Sequence, residues 1–141
     1  MGVTDRTALD AFLGEPRNVI VIGYRKDGRV PTTPNWFLWD GERFFISTTK
    51  TRAKYKVFSN DPRVQLVIDD STGFRYAIVD GAVEIGDDIE AGLAFFEGIR
   101  AKHNRPLVSR DELRAEMVRD QRVLLMITPT NPPAEWPSVG L

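Results

Sequence analysis

The chain has 141 residues, 42% hydrophobic and 28% charged, with nineteen basic residues against twenty acidic ones and a formal net charge of −1. This suits one compact domain over residues 1–141 and excludes a disordered chain, while the near-neutral balance excludes nucleic-acid binding through bulk charge and leaves only a local basic patch. With no cysteine, and His103 as the only histidine, the sequence offers no disulfide framework, thiolate or histidine-rich metal site, or cysteine nucleophile.

In chain order, Thr4 or Asp5 can cap a first helix in which Leu9, Phe12 and Leu13 share a face, ended by Gly14 and Pro16. The N-terminal segment carries acids and no apolar signal core. No apolar run approaches the ~20 residues that cross a bilayer, so a cytoplasmic protein without membrane association is expected. NVIVIGYRK reads as a buried strand leading into Asp27-Gly28, a favoured two-residue hairpin turn. VPTTPNWFLW is a second strand, Asp40-Gly41 a second turn and ERFFIST a third strand, together a three-stranded meander. TRAKYKVFSN has helical spacing, with Ala53 and Val57 on one stripe, and Asp61-Pro62 breaks it. RVQLVID and FRYAIVDGAVEIG are strands joined by the polar loop at Asp70, Ser71, Thr72 and Gly73. DDIEAGLAFFEGIRAKH is helical, Ser109 to Glu112 forms a capping box for a further helix, and QRVLLMIT is the last strand before a proline-rich tail. Six strands with few helices, mostly joined by hairpins, predict a mainly β protein, a small barrel with flanking helices.

If Asp40-Gly41 is a two-residue turn, Trp39 opposes Glu42. Asn35 then opposes Ile46, Pro34 opposes Ser47, Thr33 opposes Thr48 and Thr32 opposes Thr49. Pro31 and Pro34 supply no backbone donor, so this end is an edge or a bulge. Its amides and hydroxyls can bind the polar edge of a flat ring; the plainer reading is a frayed barrel rim. The stretch STTKTRAKYK changes that balance, because Ser47, Thr48, Thr49 and Thr51 run into Lys50, Arg52, Lys54 and Lys56. Arg52 in the first turn of this helix is disfavoured by the macrodipole, by ~0.3–1 kcal/mol, and Arg52 and Lys56 are a like-charge i,i+4 pair. Both penalties reverse if an anion rests there, since free N–H groups already favour one. A solvated basic helix is the alternative; the hydroxyl-rich lead-in favours a phosphate cradle.

Elsewhere, His103 reads as a surface residue, and Asp69, Asp70, Asp80 and Glu84, candidate acids or bases that no partner spacing marks, read as solvated strand ends. Trp36, Phe37, Trp39, Phe44 and Phe45 offer rings for stacking on a cofactor, but read first as barrel or subunit-interface packing. Phe74 and Tyr76 follow the Gly73 turn, so part of this ring surface is expected to be exposed and to seal a partner. There is no Ser-His-Asp, Walker or GxGxxG pattern.

The stretches DGRVPTTPNWFLWDGERFFIST, TRAKYKVFSNDPRVQLVID, GFRYAIVDGAVEI and MVRDQRVLLMI, spread over most of residues 18 to 128, resemble the pyridoxamine-phosphate-oxidase-like split β-barrel superfamily. They are most similar to its branch of reductases dependent on deazaflavin (coenzyme F420). The R-A-K element followed by D-P-R-V is the most specific part. The resemblance implies a six-stranded antiparallel split barrel and a homodimer with two cofactor sites between subunits. It further implies that Arg52 and Lys54 bind the cofactor phosphate, aided by Ser47, Thr48 and Thr49. Thr32, Pro34 and Asn35 would line the ring, with Phe74 and Tyr76 reaching in from the other subunit. The chain departs from the motif at Val57, where many relatives carry asparagine. It also lacks the C-terminal arginine and histidine motif of true pyridoxamine phosphate oxidases, so vitamin B6 oxidation is not expected. The activity implied is hydride transfer from reduced F420 to a small conjugated acceptor, with the proton from water or Tyr76. FMN is the alternative cofactor, and a non-catalytic binder of flavin-like or tetrapyrrole ligands the rival from another class.

Overall fold

The computed structural model describes residues 2–141. The elements run α1 (Arg6–Gly14), β1 (Val19–Ile22), β2 (Thr32–Asn35), β3 (Leu38–Trp39), β4 (Phe44–Thr49), α2 (Ala53–Asn60), β5 (Arg63–Asp69), β6 (Tyr76–Gly86), α3 (Ile89–Lys102), α4 (Arg110–Arg119), β7 (Arg122–Pro129) and β8 (Ser138–Val139). All strand pairs are antiparallel, in the order β2-β1-β5-β6-β7-β4-β3, with β8 added to β6. The result is the expected mainly β class, a curled half-barrel with four helices.

Strand alternation builds the core. Val19 and Val21 of β1, Phe44 and Ile46 of β4, Val64, Leu66 and Ile68 of β5, and Leu125 and Ile127 of β7 all point inward. Leu9, Phe12 and Leu13 of α1 join them, as the helical spacing predicts, and Asp5 caps that helix by accepting from the Ala8 amide at 3.0 Å. The other sheet face is covered by α3, where Phe95 and Ile99 pack with Leu124. α4 packs Leu113 and Met117 on Leu93. Ser109 stands at the N-cap of α4 but makes no side-chain bond there, so the capping box is not formed. Arg110–Glu97 and Arg114–Glu90 ion pairs, each 2.9 Å, tie α4 to α3 instead.

Three expectations are corrected. The sheet has eight strands, because VPTTPNWFLW breaks at Trp36 and Phe37 into β2 and β3 and the tail contributes β8. The meander is not formed: β2 pairs with β1 and β3 with β4, so β2 and β3 lie on opposite edges of the sheet. Both turns also differ from the two-residue Asp-Gly type. At the first, Arg25 pairs with Arg29 around a three-residue loop, in which Gly28 takes φ +86°. At the second, the Asp40 carboxylate accepts from the Glu42 and Arg43 amides at 2.8 and 2.7 Å. That places Gly41-Glu42 at the tip and Trp39 opposite Phe44 rather than Glu42. The predicted oppositions of Thr32, Thr33, Pro34 and Asn35 with β4 therefore do not occur; β4 pairs with β7 along its length.

The tail, read from sequence only as proline-rich, is part of the core. Trp136 is 2% exposed and donates its indole N–H to the Asn131 carbonyl at 2.8 Å. Its ring lies 5.8 Å from Trp39 and 6.2 Å from Phe44. The Val3 amide bonds the Pro133 carbonyl, and the Thr4 amide bonds that of Leu141.

Candidate functional site

The basic stretch sits where β4 hands over to α2. Arg52 is the N-cap of α2, one position before the helix, in extended conformation and without a side-chain cap bond. The first-turn amides of α2 are therefore not capped by a side chain, which is the arrangement that favours an anion. Among the described residues no carboxylate lies within ion-pair distance of Lys50, Arg52, Lys54 or Lys56, although arginines elsewhere are paired freely. Lys54 donates its ammonium to the Thr33 hydroxyl at 2.7 Å. Burial, and secondarily the charge of Arg52, push the Lys54 pKa below its ordinary value. An anion here would relieve both effects.

Barrel closure thus achieves what hairpin pairing does not. Thr33 reaches Lys54 across a cavity of about 240 Å³ whose walls include Gly23, Pro31, Arg52 and Phe58. A second cavity of about 330 Å³ brings Pro34, Asn35, Ser47 and Arg52 together with Trp36 and Arg122. Thr33, Pro34, Asn35, Ser47, Arg52 and Lys54 therefore gather around one place. Thr32, exposed on the edge strand, bonds its own segment at the Val30 carbonyl and lines neither cavity. Thr48 shares the inward face of β4 with Phe44 and Ile46. It is 1% exposed, and its buried hydroxyl has no hydrogen-bond partner among the described residues. Thr49 is buried too, its hydroxyl 2.9 Å from that of Thr51. Val57 packs in the barrel core, where a Cβ placed on Gly23 would come within 2.8 Å of its Cγ1; glycine is what lets α2 approach β1 so closely.

Phe74 and Tyr76 line neither cavity of their own chain. Phe74 is 78% exposed, at the end of a loop organised by Asp70. The Asp70 carboxylate accepts from the Thr72 hydroxyl at 2.6 Å and the Arg75 guanidinium at 2.9 Å, which together hold it well below the usual carboxylate range. Tyr76 is half-buried between its partners Asp69 and Val139.

His103 is not the surface residue expected. Its ring stacks on Trp36 at 3.9 Å with 12° between planes, and its Nε2 is buried without a hydrogen-bond partner among the described residues. Burial, then the charges of Lys102 and Arg105, lower its pKa. Lys102 beside it donates to the carbonyls of Leu13 (2.7 Å) and Phe37 (2.9 Å), with its ammonium 3.7 Å from the Phe37 ring centroid. Two consecutive residues of α3's end thus grip the two residues that separate β2 from β3. Neither Trp36 nor Arg122 is marked as a site residue in the sequence, because nothing local links them to the basic stretch.

Burial, followed by the Arg17 charge, holds Lys102 down to about 8 from its ordinary 10.5. Between those values the unfolded chain binds this proton more tightly than the folded protein. The destabilising effect of burying the ammonium is therefore complete below pH 8 and fades as pH rises toward 10.5. Urea unfolding from pH 7 to 10 should show wild type gaining stability relative to Lys102→Met. Parallel pH profiles would refute this account.

The profile of the pyridoxamine 5'-phosphate oxidase family matches residues 6–131 of the chain. Among solved structures, one named F420 reductase is 28% identical, with 86% of this chain and 93% of that chain covered and a TM-score of 0.71. A conserved hypothetical protein from Mycobacterium tuberculosis is 20% identical over 98% of this chain and 86% of its own, with a TM-score of 0.81. The heme storage protein HutZ from Vibrio cholerae is 12% identical over 96% of this chain and 94% of its own, with a TM-score of 0.71. The last two show a shared fold alone. With a family match that spans both cavities and the α2 N-terminus between them, the chain belongs to the pyridoxamine 5'-phosphate oxidase family.

Proposed function

We propose that the protein is an F420-dependent oxidoreductase, working as a homodimer on a small conjugated hydride acceptor. The observation that carries this reading is the pair Arg52 and Lys54, without carboxylate partners among the described residues, at the uncapped N-terminus of α2, with Lys54 bonded to Thr33. The donor set fits a phosphate. Arg52 offers a planar fork, Lys54 a partly desolvated point charge, and the α2 amides complete the shell. Pro34, Asn35 and Ser47 next to it give the ring a wall of small and amide side chains. When bound in reduced form, the deazaflavin supplies a hydride and is oxidised, while the acceptor gains that hydride and a proton from water.

The chain's own part is to bind and orient. Lys56 lines a cavity of about 640 Å³, which shares Ala53 and Val57 with the phosphate-side cavity; an anionic cofactor tail leaving Arg52 would meet it there. Lys50 is exposed on the turn ahead of α2. Val57 is committed to the core, so it offers the cofactor no polar contact. Phe74, projecting from its braced loop, is a surface for the second subunit. The similarity to the structure named F420 reductase supports the choice of deazaflavin over FMN.

Competitive titration separates the two cofactors. F420 is expected to quench tryptophan fluorescence at lower concentration than FMN, and reduced F420 to be oxidised only when an acceptor is added. A flavin spectrum that survives dialysis, with F420 failing to compete, would replace F420 by FMN. Absence of quenching by both would remove the redox reading.

A further inference from the structure

The cavity holding Pro34, Asn35 and Ser47 has a second half that the cofactor reading leaves unused. Its apolar wall is Trp36, Phe95, Phe96 and Ile99, and beside that wall stands Arg122. Trp36 keeps 39% of its surface exposed, yet its ring is held by the His103 stack, with the Arg105 guanidinium 5.7 Å from the ring centroid. The Phe37 carbonyl, one residue on, is anchored by Lys102. An indole fixed in this way is a rigid stacking surface, which binds flat π-systems at little entropic expense. Arg122 is half-buried on β7, its guanidinium 5.5 Å from the Phe96 ring centroid, and no carboxylate lies within ion-pair distance of it among the described residues. A half-buried guanidinium with no counter-ion, next to an aromatic wall, matches a ligand that brings the missing anion on a planar body.

We propose that this half of the cavity selects the hydride acceptor as a planar conjugated carboxylic acid, with its π-system on Trp36 and its carboxylate on Arg122. The word acceptor rests on the proposed redox function; the binding itself does not. The site adjoins the residues assigned to the cofactor ring, as contact between donor and acceptor requires. A neutral quinone or enone would leave Arg122 unmatched, so charge becomes a selectivity element in addition to shape. His103 acts as a positioning residue for Trp36.

The test compares trans-cinnamate with cinnamamide, which share a conjugated body and differ in charge, using cofactor-free protein. Calorimetry should give cinnamate a Kd roughly 10- to 100-fold lower, the usual worth of a charge-assisted pair. Cinnamate should also shift the Trp36 indole N–H resonance, assigned with Trp36→Phe, and leave that of buried Trp136 unmoved. Arg122→Gln should abolish the preference for the acid, and Arg122→Lys should restore part of it. His103→Phe should retain cinnamate binding, whereas His103→Ala should weaken it severalfold. Equal binding of acid and amide, or an unshifted Trp36 signal, would overturn the proposal. So would Arg122→Gln weakening F420 or FMN as strongly as Arg52→Ala does, because Arg122 would then serve the cofactor. If neither cofactor binds while the acid preference persists, the redox reading falls and the aromatic-acid site stands.

Discussion

Arg52→Ala and Lys54→Ala are each expected to weaken cofactor binding by about 5- to 150-fold, or about 1–3 kcal/mol, the range for a charge-assisted hydrogen bond to an anion. Arg52 is exposed, and neither residue has a carboxylate partner among the described residues, so little native structure is lost with them. What the anion loses differs between the two. Without Arg52 it keeps Lys54 and the helix amides but forfeits the bidentate fork. Without Lys54 it loses a charge that burial and the Arg52 charge have already destabilised. That destabilisation has a pH signature. An anion returns the lowered Lys54 pKa toward its ordinary value, so binding takes up a proton, and affinity falls as pH rises through the depressed pKa of the free protein. Arg52→Ala should shift that fall to higher pH, since one cause of the depression is removed. Because the two side chains share one ligand, the double variant should lose less than the sum of the single effects. Fluorescence titration of each variant against F420 and FMN from pH 7 to 10 measures these outcomes. Wild-type affinity in both single variants would end the assignment.

Trp136→Ala is expected to destabilise the fold by about 3–5 kcal/mol, the range for emptying a large aromatic site that cannot collapse. Trp136 is the largest fully buried side chain among the described residues and packs with Trp39 and Phe44 in the core. It also brings β8 onto β6, where Ser138 opposes Ala77 and Val139 opposes Tyr76. Its loss therefore leaves a cavity, strips the Asn131 carbonyl of its donor and loosens the strand that flanks Tyr76. Trp136→Phe fills most of the volume and should be much milder. Urea unfolding of the three proteins measures the order, and an alanine variant within 1 kcal/mol of wild type would show that the tail is a loose appendage.

Much of this protein is legible in its sequence, and the reason is that the legible parts are local. Alternation marks VIVI, FFIS and RVQLVID as strands because each buries one face on the same core. Asp5 and Gly14 bound α1, and Asp61-Pro62 ends α2, because caps and breakers act within a turn. Lys50, Arg52, Lys54 and Lys56 stand out as a basic stretch because unfavourable charges at a helix start are visible from spacing alone, and the anion they would hold is a proposal. Register depends on more. An Asp-Gly pair is compatible with several hairpin geometries, and at Asp40 the carboxylate's bonds to two amides select one with the glycine and Glu42 at the tip. The same limit applies to the break at Trp36-Phe37. It follows from sites far along the chain, where Lys102 and His103 grip those two residues.

Local pattern by itself determined most of the strands, the helices and the basic stretch, since backbone geometry and charge spacing act over a few residues. Tertiary structure decided which of them meet. Curling the sheet carries β2 away from β4 in hydrogen-bond order and back to it in space. Lys54 thereby touches Thr33, and Trp36 and Arg122 come to share a cavity with Asn35 and Ser47. Such closure minimises exposed apolar area over the whole sheet, a quantity that no short stretch of residues encodes.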